Sequence, residues 1–220
     1  MKTIKSSVIL FLVMAGFILS STVFAQDAMT PKAAEKSTPK IIDMNKKDSM
    51  MDPEMMAKFQ AYSMPNENHK VLDALVGNWS YTLKWWMAPD QAPEESMGAS
   101  EAGWILNKHF LKQTVNGTSM GQPFEGMGII GYNNLKNVYE SIWLDNMATG
   151  MMIGTASFDA VNKMMSESGH FSCPLVNGDR GYRTVTKIQD DDHHSYEMYM
   201  TDPKSGQEFK SMEINYTRAK

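Results

Sequence analysis

The chain has 220 residues, a formal net charge of −4 and a single cysteine beside 21 methionines. A mildly acidic chain without a basic run lacks the clustered Lys and Arg that bind phosphate backbones, so we predict no nucleic-acid partner. One cysteine excludes an intrachain disulfide, so burial of apolar side chains must hold the fold together.

The first 25 residues have the pattern of a secretory signal peptide. Lys2 and Lys5 precede the apolar run VILFLVMAGFIL, and Ala25 ends a Val-Phe-Ala stretch that a signal peptidase can cleave. The run is about a dozen residues long, whereas a membrane span needs roughly 20. We predict a cleaved signal over residues 1–25, a periplasmic or secreted protein, and no integral membrane span in the mature chain. An uncleaved N-terminal anchor is the alternative.

Residues 26–51 are rich in Lys, Pro, Thr and Ala and nearly free of aromatic residues. Such a segment buries too little apolar surface to offset its ordering entropy, so we predict a disordered linker. Two short helices are expected next. Asp52 suits the start of the first, Asn66 or Asn68 suits the start of the second, and Gly77 ends it.

After Gly77 the chain alternates apolar and polar residues in short runs that turn-prone clusters separate, which is typical of antiparallel strands. No helical run is long enough to connect parallel strands. We predict one domain over residues 52–220: an all-β, up-and-down antiparallel barrel of about ten strands, preceded by short N-terminal helices. A two-sheet sandwich is the alternative. The predicted strands are 78–87, 97–104, 110–118, 123–132, 138–145, 150–158, 163–171, 180–189, 194–201 and 207–218.

Two strands carry features that bear on the barrel interior. The fourth contains three glycines, which indicate a bulge, a bend or a close approach of the backbone, at Gly126, Gly128 and Gly131. The first places five apolar side chains on one face, which we expect to point inward: Trp79, Tyr81, Leu83, Trp85 and Met87.

Six stretches carry a resemblance to a known family: ALVGNWSYTLKWW, GWILNKHFLKQTVNG, GQPFEGMGIIGYNN, IWLDNMATGM, DDDHHSYEMYM and MEINYTR. They resemble a bacterial family, known only as a domain of unknown function, within the lipocalin-like (calycin) superfamily. The resemblance implies a barrel with a cavity and no assigned reaction. It also implies that Trp79, in the Gly-x-Trp motif that starts at Gly77, packs against Arg218 of the last strand. A cation–π stack of these two side chains would close the base of the barrel.

Nine residues are candidates for lining a ligand cavity. Their aromatic and methionine side chains suit an apolar or aromatic ligand, and their polar side chains can orient a ligand head group. The alternatives are a barrel filled by its own side chains and, for Asp145, a carboxylate that only closes the following turn. The candidates are Trp85, Trp104, Gln113, Trp143, Asp145, Met198, Met200, Glu213 and Tyr216.

We predict an exported lipocalin-like protein that binds a small, largely apolar ligand inside the barrel. An envelope interaction or stress protein with a filled core is the alternative, and a haem-binding calycin-type protein is the third hypothesis. Haem would need His109, His170, His193 or His194, but a solvated hairpin turn is the favoured interpretation of the last two. The sequence contains no metal-ligand spacing and no catalytic motif. We therefore predict no metal, cofactor or catalytic residue, and favour a binding role over an enzymatic one.

Overall fold

The computed structural model of the protein describes residues 52–220. The predicted signal peptide, 1–25, and the predicted linker, 26–51, lie outside the described residues. Three helical segments come first: α1 (Pro53–Ser63), α2 (Glu67–Lys70) and a 3-10 helix (Val71–Leu75). Within the described part of the chain, no helix is both long and apolar enough to cross a membrane.

Ten strands follow the helices, and they form one closed sheet. Each strand pairs antiparallel with its neighbours in the chain, and the first also pairs with the last. This ring confirms the predicted up-and-down barrel, and the sandwich alternative is wrong. The strands are β1 (Gly77–Trp85), β2 (Glu94–Ile105), β3 (Phe110–Ser119), β4 (Gln122–Asn133), β5 (Val138–Asp145), β6 (Met152–Asp159), β7 (Met164–Cys173), β8 (Gly178–Ile188), β9 (His193–Thr201) and β10 (Glu208–Arg218).

Asparagine and aspartate side chains shape several of the tight turns between strands. Asn133 Oδ1 accepts hydrogen bonds from the backbone N–H groups of Leu135 and Lys136, both at 3.0 Å. Asp159 and Asp202 accept from the backbone of their own turns in the same way. Such bonds replace the strand ladder where the chain reverses, so consecutive strands lie side by side.

The strand register assigns each residue to the inner or the outer face of the barrel. In β1, Trp79 lies opposite Arg218 and Tyr81 lies opposite Tyr216 of β10. Trp79 and Tyr81 are buried, whereas the intervening Ser80 is exposed. Because side chains alternate along every strand, this parity carries around the whole ring and identifies the inner face.

Met87 was predicted to continue the inward row of the first strand, and this prediction is wrong. β1 ends at Trp85, and Met87 lies beyond the strand with 60% of its surface exposed. The cause lies in β10, where the register shifts between Lys210 and Met212, so the paired residues stop at Trp85 and Met212. The other predicted strand ends differ from the observed ones by at most three residues.

The helical segments fill one end of the barrel, where β1 begins and β10 ends; we call this the helical end. Leu72 of the 3-10 helix is 0% exposed and anchors the apolar cluster there. Burying a leucine side chain stabilises the fold by roughly 1.5–3 kcal/mol. The buried partners of Leu72 are Ala102, Leu111, Tyr139, Ala156 and Met165. We call the opposite end of the barrel, where β1 ends and β10 begins, the far end.

Hydrogen bonds attach the helical segments to the barrel. The Tyr139 hydroxyl donates to the Asn68 carbonyl at 2.8 Å. The side-chain amide of Asn134, in the β4–β5 turn, donates to the carbonyls of Ala61, Tyr62 and Met64 at 2.8–3.1 Å. These carbonyls lie at the C-terminal end of α1, where intrahelical donors run out. No side chain of α1 is buried, so α1 is held by this end.

Candidate functional site

Trp79 and Arg218 lie in contact at the helical end. The guanidinium carbon of Arg218 is 4.1 Å from the centre of the Trp79 ring, the distance of a cation–π stack. Trp79 Nε1 donates to the Leu75 carbonyl at 3.0 Å, and Arg218 donates to the Val76 carbonyl at 2.7 Å. Gly77 has a φ of +133°, and a Cβ there would collide with the Arg218 guanidinium. These contacts tie the last strand to the 3-10 helix.

Two of the nine cavity candidates, Trp104 and Tyr216, point inward but pack against other parts of the protein. Trp104 Nε1 donates to Asp73 Oδ1 at 2.7 Å, and its ring packs against the Leu72 cluster. Tyr216 is buried and stacks on His194 with the ring centres 4.2 Å apart. Both side chains are therefore parts of the core.

Trp143 and Asp145 lie on the inner face of β5, towards the far end. They stand opposite Gly128 and Gly126 of β4. Trp143 Nε1 donates to Asp145 Oδ2 at 2.9 Å, and Asp145 Oδ1 accepts the backbone N–H of Met147 at 2.9 Å. The carboxylate thus has the inward parity and closes the turn as well.

Four further candidates share the inward parity and differ in exposure. Gln113 is half-buried and its amide donates to the Ser100 hydroxyl at 3.4 Å. Met198 is buried in the middle of β9. Trp85 and Met200 are half-buried at the far end. The far end therefore retains the most accessible members of the predicted set.

The prediction that Glu213 lines the cavity is wrong. Glu213 pairs with Lys84 of β1 and Glu197 of β9, so its side chain is on the outer face. There its carboxylate forms an ion pair with Lys210. Alternation in the last strand already places Glu213 opposite in parity to the inward Met212 and Ile214, and this signal argued against an inward carboxylate.

The four histidines considered as haem ligands lie in different environments. His109 bonds the carbonyls of Ser63 and Leu106, both at 2.6 Å, and His170 lies exposed on the outer face of β7. His193 fits the predicted hairpin turn, where Asp190 contacts its Nδ1 at 2.8 Å. The same interpretation of His194 is wrong, because His194 is buried inside the barrel.

His194 is enclosed by aromatic rings at the helical end. Its ring is stacked on Tyr216 and meets the Trp79 ring edge-on, with centres 4.3 Å apart. Burial, and secondarily the charge of Arg218, lowers the pKa of His194 to about 4. The neutral imidazole therefore belongs to the same core as the Trp79–Arg218 stack.

A polar cluster lies on the inner face around half-buried Glu167 of β7, and the sequence-based prediction did not include it. The Tyr182 hydroxyl donates to Glu167 Oε1 at 2.8 Å. Burial raises the pKa of Glu167, and hydrogen bonds from Tyr182 and Ser141 act against that rise. Alternation in MMSESGHFSC places Glu167 on one face with Met165 and Cys173, and this was the signal available in the sequence.

Three aromatic rings on the inner wall each lie over a pair of glycines, two of the pairs on adjacent strands and one within β4. A Cβ at Gly169 would lie only 2.6 Å from the Cζ atom of Tyr182, so only glycine leaves room for the ring. Of the bulge, bend or close approach predicted for the glycines of the fourth strand, the structure has the close approach: a Cβ at Gly126 would collide with the Trp143 ring, and one at Gly131 would collide with Phe110 on the outer face. Rings that lie along the wall leave space in the middle of the barrel. The sets are Tyr81 over Gly98 and Gly117, Trp143 over Gly126 and Gly128, and Tyr182 over Gly154 and Gly169.

The inner wall is packed unevenly. On one side a buried cluster joins β1, β3 and β10 through Tyr81, Val115 and Tyr216. On the other side, several inner-face residues are only half-buried although ten strands surround them, and they alternate with buried ones such as Tyr182 and Met198. Accessible surface on an inner face means that neighbouring side chains do not fill the adjoining space. These half-buried residues are Met152, Glu167, Phe171, Tyr196 and Met200. We call them, with Tyr182, the accessible wall.

A recess of about 260 Å³ adjoins the accessible wall at the far end. Tyr182 and Met200 contribute inner-face surface to it, and Arg183, Tyr199 and Glu208 contribute outer-face surface. The Arg183 guanidinium carbon lies 4.0 Å from the centre of the Tyr199 ring, and Arg183 forms an ion pair with Glu208 at 2.9 Å. These three side chains therefore contact one another along the outer side of the recess. The recess is slightly smaller than the roughly 300 Å³ at which ligand pockets usually begin.

The chemistry of the accessible wall is hydrogen bonding and apolar contact. It combines a carboxylate, tyrosine hydroxyls, aromatic faces and thioethers, which can hold a small molecule with a polar group. Among the described residues, no three His, Cys, Asp or Glu side chains lie close enough together to hold a metal ion.

Comparisons with known proteins place the barrel in a family. A family model described as "Protein of unknown function (DUF1579)" matches residues 64–218. A search of the curated proteins found no match. The structure is similar to that of Rv2717c from M. tuberculosis, with a TM-score of 0.51 and 16% identity, over 71% of this chain and 100% of that one. It is also similar to the S-type phycobiliprotein lyase CPES from Guillardia theta, with a TM-score of 0.50 and 9% identity, over 74% of this chain and 97% of that one.

Proposed function

The chain belongs to the DUF1579 family of proteins of unknown function, and from its lipocalin-like barrel we propose that it binds a small, largely apolar molecule inside the far half. The observation that carries the proposal is the accessible wall, whose side chains face the interior and of which all but Tyr182 remain half-buried. At identities of 16% and 9%, the solved neighbours show the shared fold alone, so the proposal depends on this wall.

The position and the chemistry of the accessible wall both support a binding site in the far half of the barrel. Leu72 fills the helical end, and the Trp79–Arg218 stack closes it, so a ligand cannot enter the barrel from this end. The accessible wall has methionine and aromatic side chains, which adapt to apolar shapes and contribute large contact areas. A ligand that displaces interior water from such a wall gains roughly 25 cal/mol for each Å² of apolar surface buried.

Binding of a neutral naphthyl dye, phenylnaphthylamine, tests this function by fluorescence. We expect saturable binding to the protein and at least tenfold weaker binding to Met200→Trp, because the indole fills the space beside the accessible wall. The matched control is Met97→Trp, since Met97 is 72% exposed on the outer face of β2. Equal binding to all three proteins, or no saturable binding, would contradict the proposal.

We further propose that the protein is exported after cleavage behind Ala25. The support is the charged start, the apolar run and the small residue at the cleavage position. Mass spectrometry of the protein purified from its native host tests the point. We expect a mature chain that begins at Gln26, and an intact N-terminus in the purified protein would contradict export by cleavage.

A surface role in the envelope is the second candidate, and α1 supports it. Its apolar side chains are about half exposed, and none is buried in the barrel. Exposed apolar groups in one helix are typical of a contact surface for another molecule. If the dye does not enter the barrel, this candidate replaces the ligand-binding function. The exposed residues are Met55, Met56, Phe59 and Tyr62.

A further inference from the structure

Glu167 is the only carboxylate among the six residues of the accessible wall, and its described contacts are hydroxyl groups. The Tyr182 hydroxyl donates to it at 2.8 Å, and a hydrogen bond from Ser141 acts on it as well. An ionised carboxylate has about four acceptor positions. Two hydroxyl donors therefore leave some acceptor positions of the Glu167 carboxylate, which faces the interior, without a donor.

No basic side chain of the described residues pairs with Glu167. Its described hydrogen bond and the causes that shift its pKa involve only hydroxyls and burial. Arg180 shares the inner parity of β8, but it lies four positions from Thr184, the residue opposite Glu167. Four strand residues span about 13 Å. Arg180 also donates to the Thr201 carbonyl at 2.6 Å, which directs it to the far end.

The other acidic, basic and imidazole groups with the inward parity lie farther along the barrel, and one of them, Glu94, is opposite Trp85 at the far end. His194 and Arg218 belong to the helical end, and Asp145 lies at the end of β5 with its bonds to Trp143 and Met147. The middle of the barrel therefore carries an acidic group that has no basic partner among the described residues. Burying the ionised form of such a group is costly unless a cation pairs with it.

Two tyrosines lie beside this carboxylate. Tyr182 bonds it directly, and Tyr196 lies close enough that the Glu167 charge helps burial to raise the pKa of Tyr196. Aromatic rings attract cations through the negative charge density of their faces. A carboxylate beside tyrosine rings is thus a suitable environment for an ammonium group, whereas a fatty acid would place a second carboxylate next to the first.

We propose that the ligand of the barrel is an organic amine, bound as its ammonium ion with N–H donated to Glu167 and its apolar body along the accessible wall. This inference rests on the proposed function, because it requires that a small molecule enters the far half. It names the chemical class of that molecule and assigns Glu167 as the residue that selects it.

Three compounds that share one ring system test the inference by calorimetry at neutral pH: naphthalene-methylamine, naphthalene-methanol and naphthoate. We expect the amine to bind at least tenfold more tightly than the alcohol, and the acid to bind most weakly, because hydrogen bonds to a charged group exceed neutral ones. In Glu167→Gln the preference for the amine should fall to within about threefold, while the alcohol keeps its affinity.

The matched control is Glu213→Gln, which removes the same charge from the outer face, where Glu213 pairs with Lys210. It should leave all three affinities unchanged. Glu167→Asp is a second variant, and it should weaken the amine while retaining a preference for it. Loss of the preference in Glu213→Gln alone would overturn the assignment of Glu167.

The outcomes separate this inference from the function beneath it. If the dye and the three compounds all bind but the amine is not preferred, the inference is overturned and the binding function stands. If neither the dye nor any of the three compounds binds, both are overturned. If Glu167→Gln does not fold, the wild-type ratio of amine to alcohol and the Glu167→Asp result decide.

Discussion

The two ends of the barrel interior differ in how their polar groups are satisfied. At the helical end, the Trp79 indole, the Arg218 guanidinium and the Trp104 indole each donate to a group of the 3-10 helix or its flank at 2.7–3.0 Å. On the accessible wall, in the middle of the barrel, the Glu167 carboxylate has hydroxyl partners and no basic one among the described residues. Both regions are built on the same ring of strands.

The difference shows how one barrel can separate stability from binding. The helical end buries Leu72 completely and pairs the indoles of Trp79 and Trp104 and the Arg218 guanidinium with the protein itself, which favours a rigid base. Among the described residues, His194 Nδ1 is the buried side-chain atom there that has no hydrogen-bond partner. The accessible wall leaves apolar surface and a charge incompletely satisfied, which costs stability and provides affinity for a ligand. Substitutions at the helical end should therefore lower stability, whereas substitutions in the accessible wall should mainly alter ligand binding.

The largest effect is expected from Leu72→Ala. The side chain is 0% exposed at the centre of the helical-end cluster, and comparable truncations cost about 2–5 kcal/mol of unfolding free energy. Leu135→Ala is the matched control, because Leu135 is 77% exposed in a turn and its loss should cost less than about 0.5 kcal/mol. Denaturant unfolding measures both. Similar losses at the two positions would contradict the role of Leu72.

The next effect is a pH dependence that originates at His194. Its pKa is lowered in the folded protein from 6.5 to about 4, so the unfolded chain binds the proton more tightly. Stability contributed by neutral His194 is present above pH 6.5 and is lost as the pH falls through about 4. A shift of this size corresponds to about 3 kcal/mol.

His194→Phe removes this titration and keeps a ring between Trp79 and Tyr216. When unfolding is measured from neutral to acid pH, the unfolding free energy of the variant should rise relative to that of the wild type as the pH falls. His193→Asn is the control, since His193 is exposed in the neighbouring turn. Parallel pH profiles of His194→Phe and the wild type would show that the helical end does not hold a neutral imidazole.

A smaller loss is expected from Gly169→Ala, which tests the flat aromatic rings of the inner wall. The added methyl group would lie against the Tyr182 ring and the Ile153 carbonyl, and such crowding costs about 1–3 kcal/mol. Gly103→Ala is the matched control in a strand, because a Cβ there meets nothing within 4 Å. Its stability should stay equal or rise by up to about 1 kcal/mol. Equal losses in both variants would argue against the close approach.

The smallest effect on stability is expected from Glu167→Gln, and its sign is opposite. Burial raises the pKa of Glu167 above its ordinary 4.5, so the folded protein favours the protonated form and loses stability as the pH rises through the raised value. The amide avoids that loss, so the variant should equal or exceed the wild type by at most about 2 kcal/mol at neutral pH. The advantage should vanish in acid. A clear destabilisation at neutral pH would show that Glu167 serves the fold rather than a ligand.

Much of the fold could be predicted from the sequence because local patterns determine it. Alternation in the first strand places Trp79 and Tyr81 on the inner face, and turn residues such as Asn133 mark where strands end. The shift in β10 that leaves Met87 outside β1 could not be predicted, because it depends on how two strands distant in sequence align.

The candidate site was less accessible to prediction, for a related reason. Parity could have placed Glu213 outside and Glu167 inside, but parity does not state which inward side chains are already packed. Trp104 is inward and yet bonded to Asp73, which precedes it by 31 residues. Whether an inward residue meets a ligand or the core depends on contacts across the barrel, and only the assembled structure shows these.

The most direct test of the central claim, that ligands enter the far half, uses methyl signals of labelled methionines in NMR. Met152 and Met200 report on the accessible wall, Met165 on the buried helical end, and Met97 on the outer face. On titration with phenylnaphthylamine, we predict saturable shifts at Met152 and Met200 and none at Met165 or Met97. Shifts confined to Met97, or an unchanged spectrum at saturating dye, would contradict it.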